Sequence, residues 1–302
     1  MRRLALFLLI VYALTGMAQQ GVPDPAGRQR AVLLGHRYVA SYKDIYCAGF
    51  VTREQFPRGN FVVGGRSSPE VTHFGRNETV FLAGSDYEPG RRYAIIRDVR
   101  DPNRYEFYKG QNKALEQLGQ LYAEVGYVTV KSIEDKYAVA VVDVSCQPLI
   151  PGDIVIAARD KGSLVVEPRS FPFSVFGVPL PKQHGHIVMS SDFDYMSGTR
   201  KAVYINLGSN AGLAPGDYLR ISRSYDPATM SESSLITLRA TTVDDTQHKA
   251  ASIPRSSLKN WPLRGVGELV VISVTPGSAT CMVTIALEEV QLGDIVSREL
   301  ER

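Results

Sequence analysis

The chemistry-bearing residues of this chain are few and scattered. His184-Gly185-His186 would put two imidazoles on one side of an extended segment, which is half of a metal site. No third ligand lies near them in the sequence, and the pair reads as the polar end of a linker. Asp192 and Asp194 in SSDFDYMSG are spaced for acid–base pairing or for holding a cation. Their Ser, Gly and aromatic neighbours instead favour a solvated turn. Gly64-Gly65-Arg66 in NFVVGGRSS fits a hairpin turn better than a phosphate cradle. A Gly-x-Ser-x-Gly elbow, a phosphate-binding P-loop and a His-Glu-x-x-His helix do not occur in the sequence. The expectation is a protein that is not an enzyme, with no catalytic, cofactor or metal residues to assign.

The 302 residues are 44% hydrophobic and 22% charged, which is a globular composition with room for two cores. Arg2 and Arg3 open the chain, Leu4 to Leu14 is almost unbroken apolar sequence, and small residues surround Gly16 and Ala18. That is the layout of a cleavable export signal, with cleavage expected after Ala18. The apolar run is too short to cross a bilayer, so no retained transmembrane helix is expected. The formal charge of +3 falls to +1 once Arg2 and Arg3 are removed. The remaining basic runs (Arg91-Arg92, Arg100 to Arg104, Arg220 to Arg223) are short and mixed with Asp or apolar residues. They read as solvated strand ends, and nucleic acid is not an expected partner.

Comparing the chain with itself is more informative. GYVTVKSIEDKYAVAVVDVSCQPLIPGDIV from Gly126 matches GELVVISVTPGSATCMVTIALEEVQLGDIV from Gly267 without a gap, at a constant offset of 141 residues. Gly152-Asp153-Ile154-Val155 thereby meets Gly293-Asp294-Ile295-Val296. Thr79 to Pro102 runs parallel to Ala202 to Pro227 with small gaps, placing Gly84-Ser85 against Gly208-Ser209 and Gly90 against Gly216. The chain is therefore an internal duplication.

The elements follow from local pattern. Ala138, Ala140, Val142 and Val144 share one face of a strand, as do Ala279, Cys281, Val283 and Ile285. Pro89-Gly90, Pro151-Gly152 and Pro215-Gly216 suit the centre of type II turns, where proline presets φ and glycine accepts a positive one. One helix is expected, Asn112 to Val125, with Leu115, Leu118, Leu121 and Tyr122 at helical spacing. The expected fold is mainly β: two tandem small β-barrel-like domains, with one helix in the first. The divisions are a signal peptide (1–18), an N-terminal leader (19–40), a first domain (41–159), a proline-rich connector (160–184) and a second domain (185–302). Cys281 takes the core-facing place filled by Ala140 in the other copy and reads as a buried free thiol. Cys47 and Cys146 both fall in the first unit and are the expected disulfide of an exported protein.

At VYINLGSNAGLAPGDYLRISR (Val203–Arg223), and at the paired segment from Val266 to Val296, the chain resembles the C-terminal β-domain of flagellar assembly T proteins, which are envelope ring components. It is similar as well to uncharacterised exported bacterial proteins with two such units, some annotated beside peptidoglycan-binding LysM modules; the YCAGFV segment at Tyr46–Val51 and SCQPLIPGD at Ser145–Asp153 carry that likeness. The resemblance implies a periplasmic or outer-envelope location and a structural or adaptor role toward an envelope protein or peptidoglycan. The competing expectation is an exported small-ligand binder or hydrolase with its site between the two domains, using His184, His186, Asp192 and Asp194.

Overall fold

Residues 40–103, 105–159, 161, 182–224 and 263–298 are described by the structure, a computed structural model. The signal peptide, nearly all of the leader and most of the connector lie outside them. The described residues belong to one compact unit.

The chain enters through a short helix α1 (Tyr42–Tyr46), which the sequence reading missed. Its signal was present: Ser41 and Asp44 form a capping box, each side chain bonded to the other residue's backbone N–H. Strands β1 (Phe50–Thr52), β2 (Phe61–Gly65), β3 (Thr79–Ala83) and β4 (Arg92–Val99) follow, then helix α2 (Gln111–Leu118) and strands β5 (Gln120–Glu134), β6 (Tyr137–Ser145) and β7 (Ile154–Ala157). The order β5-β4-β7-β2-β3-β6 closes through the β5–β6 pairing into a six-stranded barrel. The long β5 also pairs with β1 over Gln120–Tyr122, ahead of its pairing with β6 from Gly126.

The second barrel is built from β8 (Gly185–Ser190), β10 (Ala202–Ile205), β11 (Tyr218–Arg223), β12 (Arg264–Val274), β13 (Ala279–Ala286) and β15 (Ile295–Arg298), closed in the order β10-β13-β12-β11-β15-β8. The two-residue strands β9 (Met196–Ser197) and β14 (Val290–Gln291) pair beside it, and a 3-10 turn spans Ser209–Ala211.

The duplication holds at the level of register. Gly126 pairs with Ser145 and Val130 with Ala140 in the first barrel; Gly267 pairs with Ala286 and Val271 with Cys281 in the second. Both hairpins shift register at equivalent places, after Tyr127 and Glu268 and again after Val130 and Val271. Ile95 faces Gly126 as Ile221 faces Gly267. A slip of one residue would turn each strand's apolar set outward, so the shared alternation enforces the shared register. Val62, Leu82, Ile95, Val128, Val130, Ala140 and Val142 fill the first barrel. Ile187, Val203, Ile221, Leu269, Val271, Cys281 and Val283 fill the second, and Cys281 is a fully buried free thiol. The Pro-Gly turns form as expected: Gly90, Gly152 and Gly216 have φ of 83°, 91° and 93°. The residue after each glycine donates its N–H three residues back.

Two expectations are corrected. The helix ends at Leu118, and Leu121 and Tyr122 lie on β5. Gly119 stops it at φ 98°, where the backbone passes so close to Thr52 O that a Cβ would collide with it. Gly64-Gly65 is not a turn, since both residues sit within β2 opposite Phe81 and Val80. A side chain at Gly65 would overlap the buried Phe74 ring, which is the reason for glycine there.

Candidate functional site

The segment from Ile45 to Thr52 is a strap held between the two barrels. Its inner end is anchored to the first barrel by the Cys47–Cys146 disulfide, with the Cα atoms 5.5 Å apart, and by β1 on β5. Ile45 and Ala48 pack on the second barrel's Val270, Ile272 and Met282. Every carbonyl from Ala48 to Val51 except that of Phe50 accepts a side-chain hydrogen bond from the second barrel. Tyr204 Oη donates to Ala48 O at 2.8 Å, Thr280 Oγ1 to Gly49 O at 3.0 Å and Ser278 Oγ to Val51 O at 2.8 Å. Main-chain groups in such a buried position need partners, and here both barrels supply them.

A buried charge pair closes the strap. Glu124 on β5 accepts from Gly49 N–H at 3.1 Å, from Tyr127 Oη at 2.9 Å and from the Lys161 ammonium, which also donates to Ile45 O at 2.9 Å. Burial pulls the Lys161 pKa below its ordinary value, against the attraction of Glu124.

Where the strap ends, the barrels leave a cleft of about 600 Å³. Thr52 at the end of the strap and the following Arg53 and Glu54 form one wall with Ala114, Gln117 and Leu118 of α2, while Asn206, Asn210 and the β12–β13 turn at Thr275–Gly277 form the other. The walls are fixed. Gly119 lets the strap end press against α2, and Gly208 lets the 3-10 turn meet the hairpin, where Ser209 N–H donates to Thr275 O at 2.9 Å and Asn210 N–H to Pro276 O at 3.1 Å. The cleft presents amides, hydroxyls, the Arg53 guanidinium and one ion-paired carboxylate, which suits binding through hydrogen bonds rather than proton transfer.

The residues singled out from the sequence are placed elsewhere. His184 and His186 stand at the start of β8, with ring centres 5.9 Å apart. Asp192 and Asp194 follow its far end, roughly 20 Å along the chain at the rise of an extended strand. Both carboxylates face Lys201, Asp194 at 3.8 Å, in an exposed turn. Among the described residues, no group of three or more His, Cys, Asp or Glu could hold a metal ion. His186 is more than a linker end. Its Nδ1 lies 3.0 Å from Gly293 O, which can only accept, so Nδ1 carries the proton.

Burial lowers the His186 pKa, with His184 adding to the effect and Gly293 O and Asp294 opposing it; the Tyr108 ring lies 5.9 Å away. Below the ordinary value of 6.5 the unfolded chain takes up a proton at His186 that the folded chain resists. The unfolded state then binds more protons, so stability falls as pH falls through that window. His186→Gln is expected to flatten this part of the profile, as measured by urea midpoints between about pH 7.5 and pH 5.5, on either side of the imidazole range.

The sequence reading placed Arg223 among solvated strand ends, and this is overturned. Arg223 Nε and Nη2 donate to the two oxygens of buried Asp294 at 2.8 and 2.9 Å, and Nη2 also reaches Glu289 O at 2.5 Å. The first barrel repeats the arrangement: Arg97 donates to Asp153 at 2.7 and 2.8 Å and to Pro148 O at 3.1 Å. Each aspartate also accepts from the backbone three residues earlier, Ile150 or Gln291, at 2.8 Å. An arginine and an aspartate at matching places in both copies was the available signal.

No protein-family model matches the chain, and no curated protein matches it. Among the described residues, no helix is long and apolar enough to cross a membrane.

Proposed function

We propose that this chain is a non-enzymatic structural or adaptor protein of the bacterial envelope, exported to the periplasm or the outer envelope, where it holds a protein partner or the cell-wall polymer. The observation that carries this reading is the strap between the barrels, fixed by a disulfide on one side and by side-chain hydrogen bonds to three of its carbonyls on the other. A disulfide suits an oxidising compartment. A body whose two halves are tied together at the strap presents its cleft and outer faces in one arrangement, which favours docking over a catalytic cycle of opening and closing. The rival reading as a hydrolase depends on His184, His186, Asp192 and Asp194 acting together, and these lie at opposite ends of β8.

The test is retention of a defined partner by the purified oxidised protein in envelope extracts, with sedimentation on purified peptidoglycan in parallel. An adaptor retains a partner in one of the two. Failure in both across a range of salt would remove the basis for this reading.

A further inference from the structure

We infer that the cleft between the barrels binds the free carboxylate end of a peptide, anchored by Arg53. The inference deepens the adaptor reading by naming the chemistry of the contact.

Among the described residues, two charged ones line the cleft. Glu54 is engaged by Arg159 at 3.1 Å. Arg53 has no carboxylate partner among the described residues. Its Nε donates to Gln117 O at 2.6 Å, which holds one edge of the exposed guanidinium, and among the described residues neither Nη group has a hydrogen-bond partner. A guanidinium held by one edge is prepared for a two-point contact with a carboxylate, the geometry in which arginine exceeds lysine. Among the described residues, the cleft therefore carries one exposed guanidinium that no carboxylate pairs and that Gln117 O holds by its Nε edge.

The remaining lining says what accompanies that charge. Asn206 spends its Oδ1 on His186 N–H at 2.6 Å and keeps its NH₂ group. Gln117 and Asn210 add side-chain amides. Amides offer donors and acceptors together and match the alternating N–H and C=O of a peptide. The described lining residues include no aromatic ring, so a sugar ring finds no stacking platform there. A volume of about 600 Å³ is in the range of small-ligand sites and suits a few terminal residues. A carboxylate-ended peptide of this kind is found in two sources, the stem peptide of the cell wall and the C-terminus of a protein.

The experiment titrates the purified oxidised protein with two probes: an N-acetylated L-peptide with a free C-terminus, and a soluble disaccharide–peptide fragment of peptidoglycan. Each is compared with its C-terminally amidated form. At least one free-acid probe is expected to bind, and whichever does names the source. Amidation and Arg53→Gln should each weaken binding by about 10- to 100-fold, the worth of a charge-assisted contact. Arg58→Gln, whose guanidinium pairs with Asp98 at 2.6 Å, should leave it unchanged. Absence of binding by both free acids overturns the inference, as does binding indifferent to amidation or to Arg53→Gln. An Arg53→Gln protein that still retains its envelope partner would end this inference while leaving the adaptor reading in place.

Discussion

Replacing Asp294 by alanine is expected to destabilise the protein by about 3–5 kcal/mol, the usual cost of stranding one member of a buried ion pair. Asp294 is 3% exposed in its side chain and Arg223 13%, so the guanidinium left behind can recover little hydration. The same change removes the acceptor for Gln291 N–H and loosens the turn before β15. Asp153→Ala in the first barrel should cost measurably less. Its partner Arg97 is 28% exposed and can turn toward water. Urea unfolding of the two single variants measures both, and Asp294→Asn, which keeps an oxygen for Gln291, should fall between Asp294→Ala and the parent. Equal losses for Asp153→Ala and Asp294→Ala would mean that the exposure of the arginine does not set the cost, and a loss below about 1 kcal/mol for Asp294→Ala would mean that its pair with Arg223 is worth no more than a surface one.

Removing the disulfide as Cys47→Ser with Cys146→Ser should cost about 2–4 kcal/mol, because the bond closes a long loop and restrains the unfolded chain. The two cysteines are 99 residues apart in sequence. The consequence extends beyond chain entropy, since Cys47 sits beside Ala48 and Gly49, whose carbonyls the second barrel holds. Loss of the anchor is therefore expected to loosen the barrel-to-barrel contact, visible as faster amide exchange at Ala48–Val51 than in the β5–β6 hairpin. Urea midpoints of oxidised parent and double variant give the first quantity, and exchange mass spectrometry the second. Cys281 supplies an internal control. Burial pushes its thiol far above the ordinary range, so the double variant should react with a thiol reagent only after unfolding. A midpoint unchanged by the double substitution would assign the strap's fixation to its hydrogen bonds alone.

The features legible in the sequence are those written in local chemistry and then repeated. Alternation of Ala138, Ala140 and Val142 against Ala279, Cys281 and Val283 specifies which face of each hairpin is inside. The shared offset then carries pairing and register shifts from one barrel to the other. Proline followed by glycine sets three turns by backbone preference alone. The Cys47–Cys146 pairing follows from counting, once the duplication places Cys281 in a core.

Other features depended on what the folded chain brings near. Leu118, Leu121 and Tyr122 satisfy a helical spacing, and only the approach of Thr52 to Gly119 ends the helix and commits the rest to β5. Val270, Ile272 and Met282 point away from the second barrel's interior, yet the strap covers them, so β12 is buried on both faces and its alternation no longer reports inside and outside. Arg223 and Asp294 are 71 residues apart in sequence, and Arg53 and Gln117 are 64 apart. The type of each residue is plain in the chain, but the charge it meets, or fails to meet, is set only when the barrels close and the strap lies between them. Periodicity and turn preference act over a few residues and can be read from one segment. Ion pairing and burial of an outer face are properties of segments distant in sequence, and the tertiary structure alone decided them.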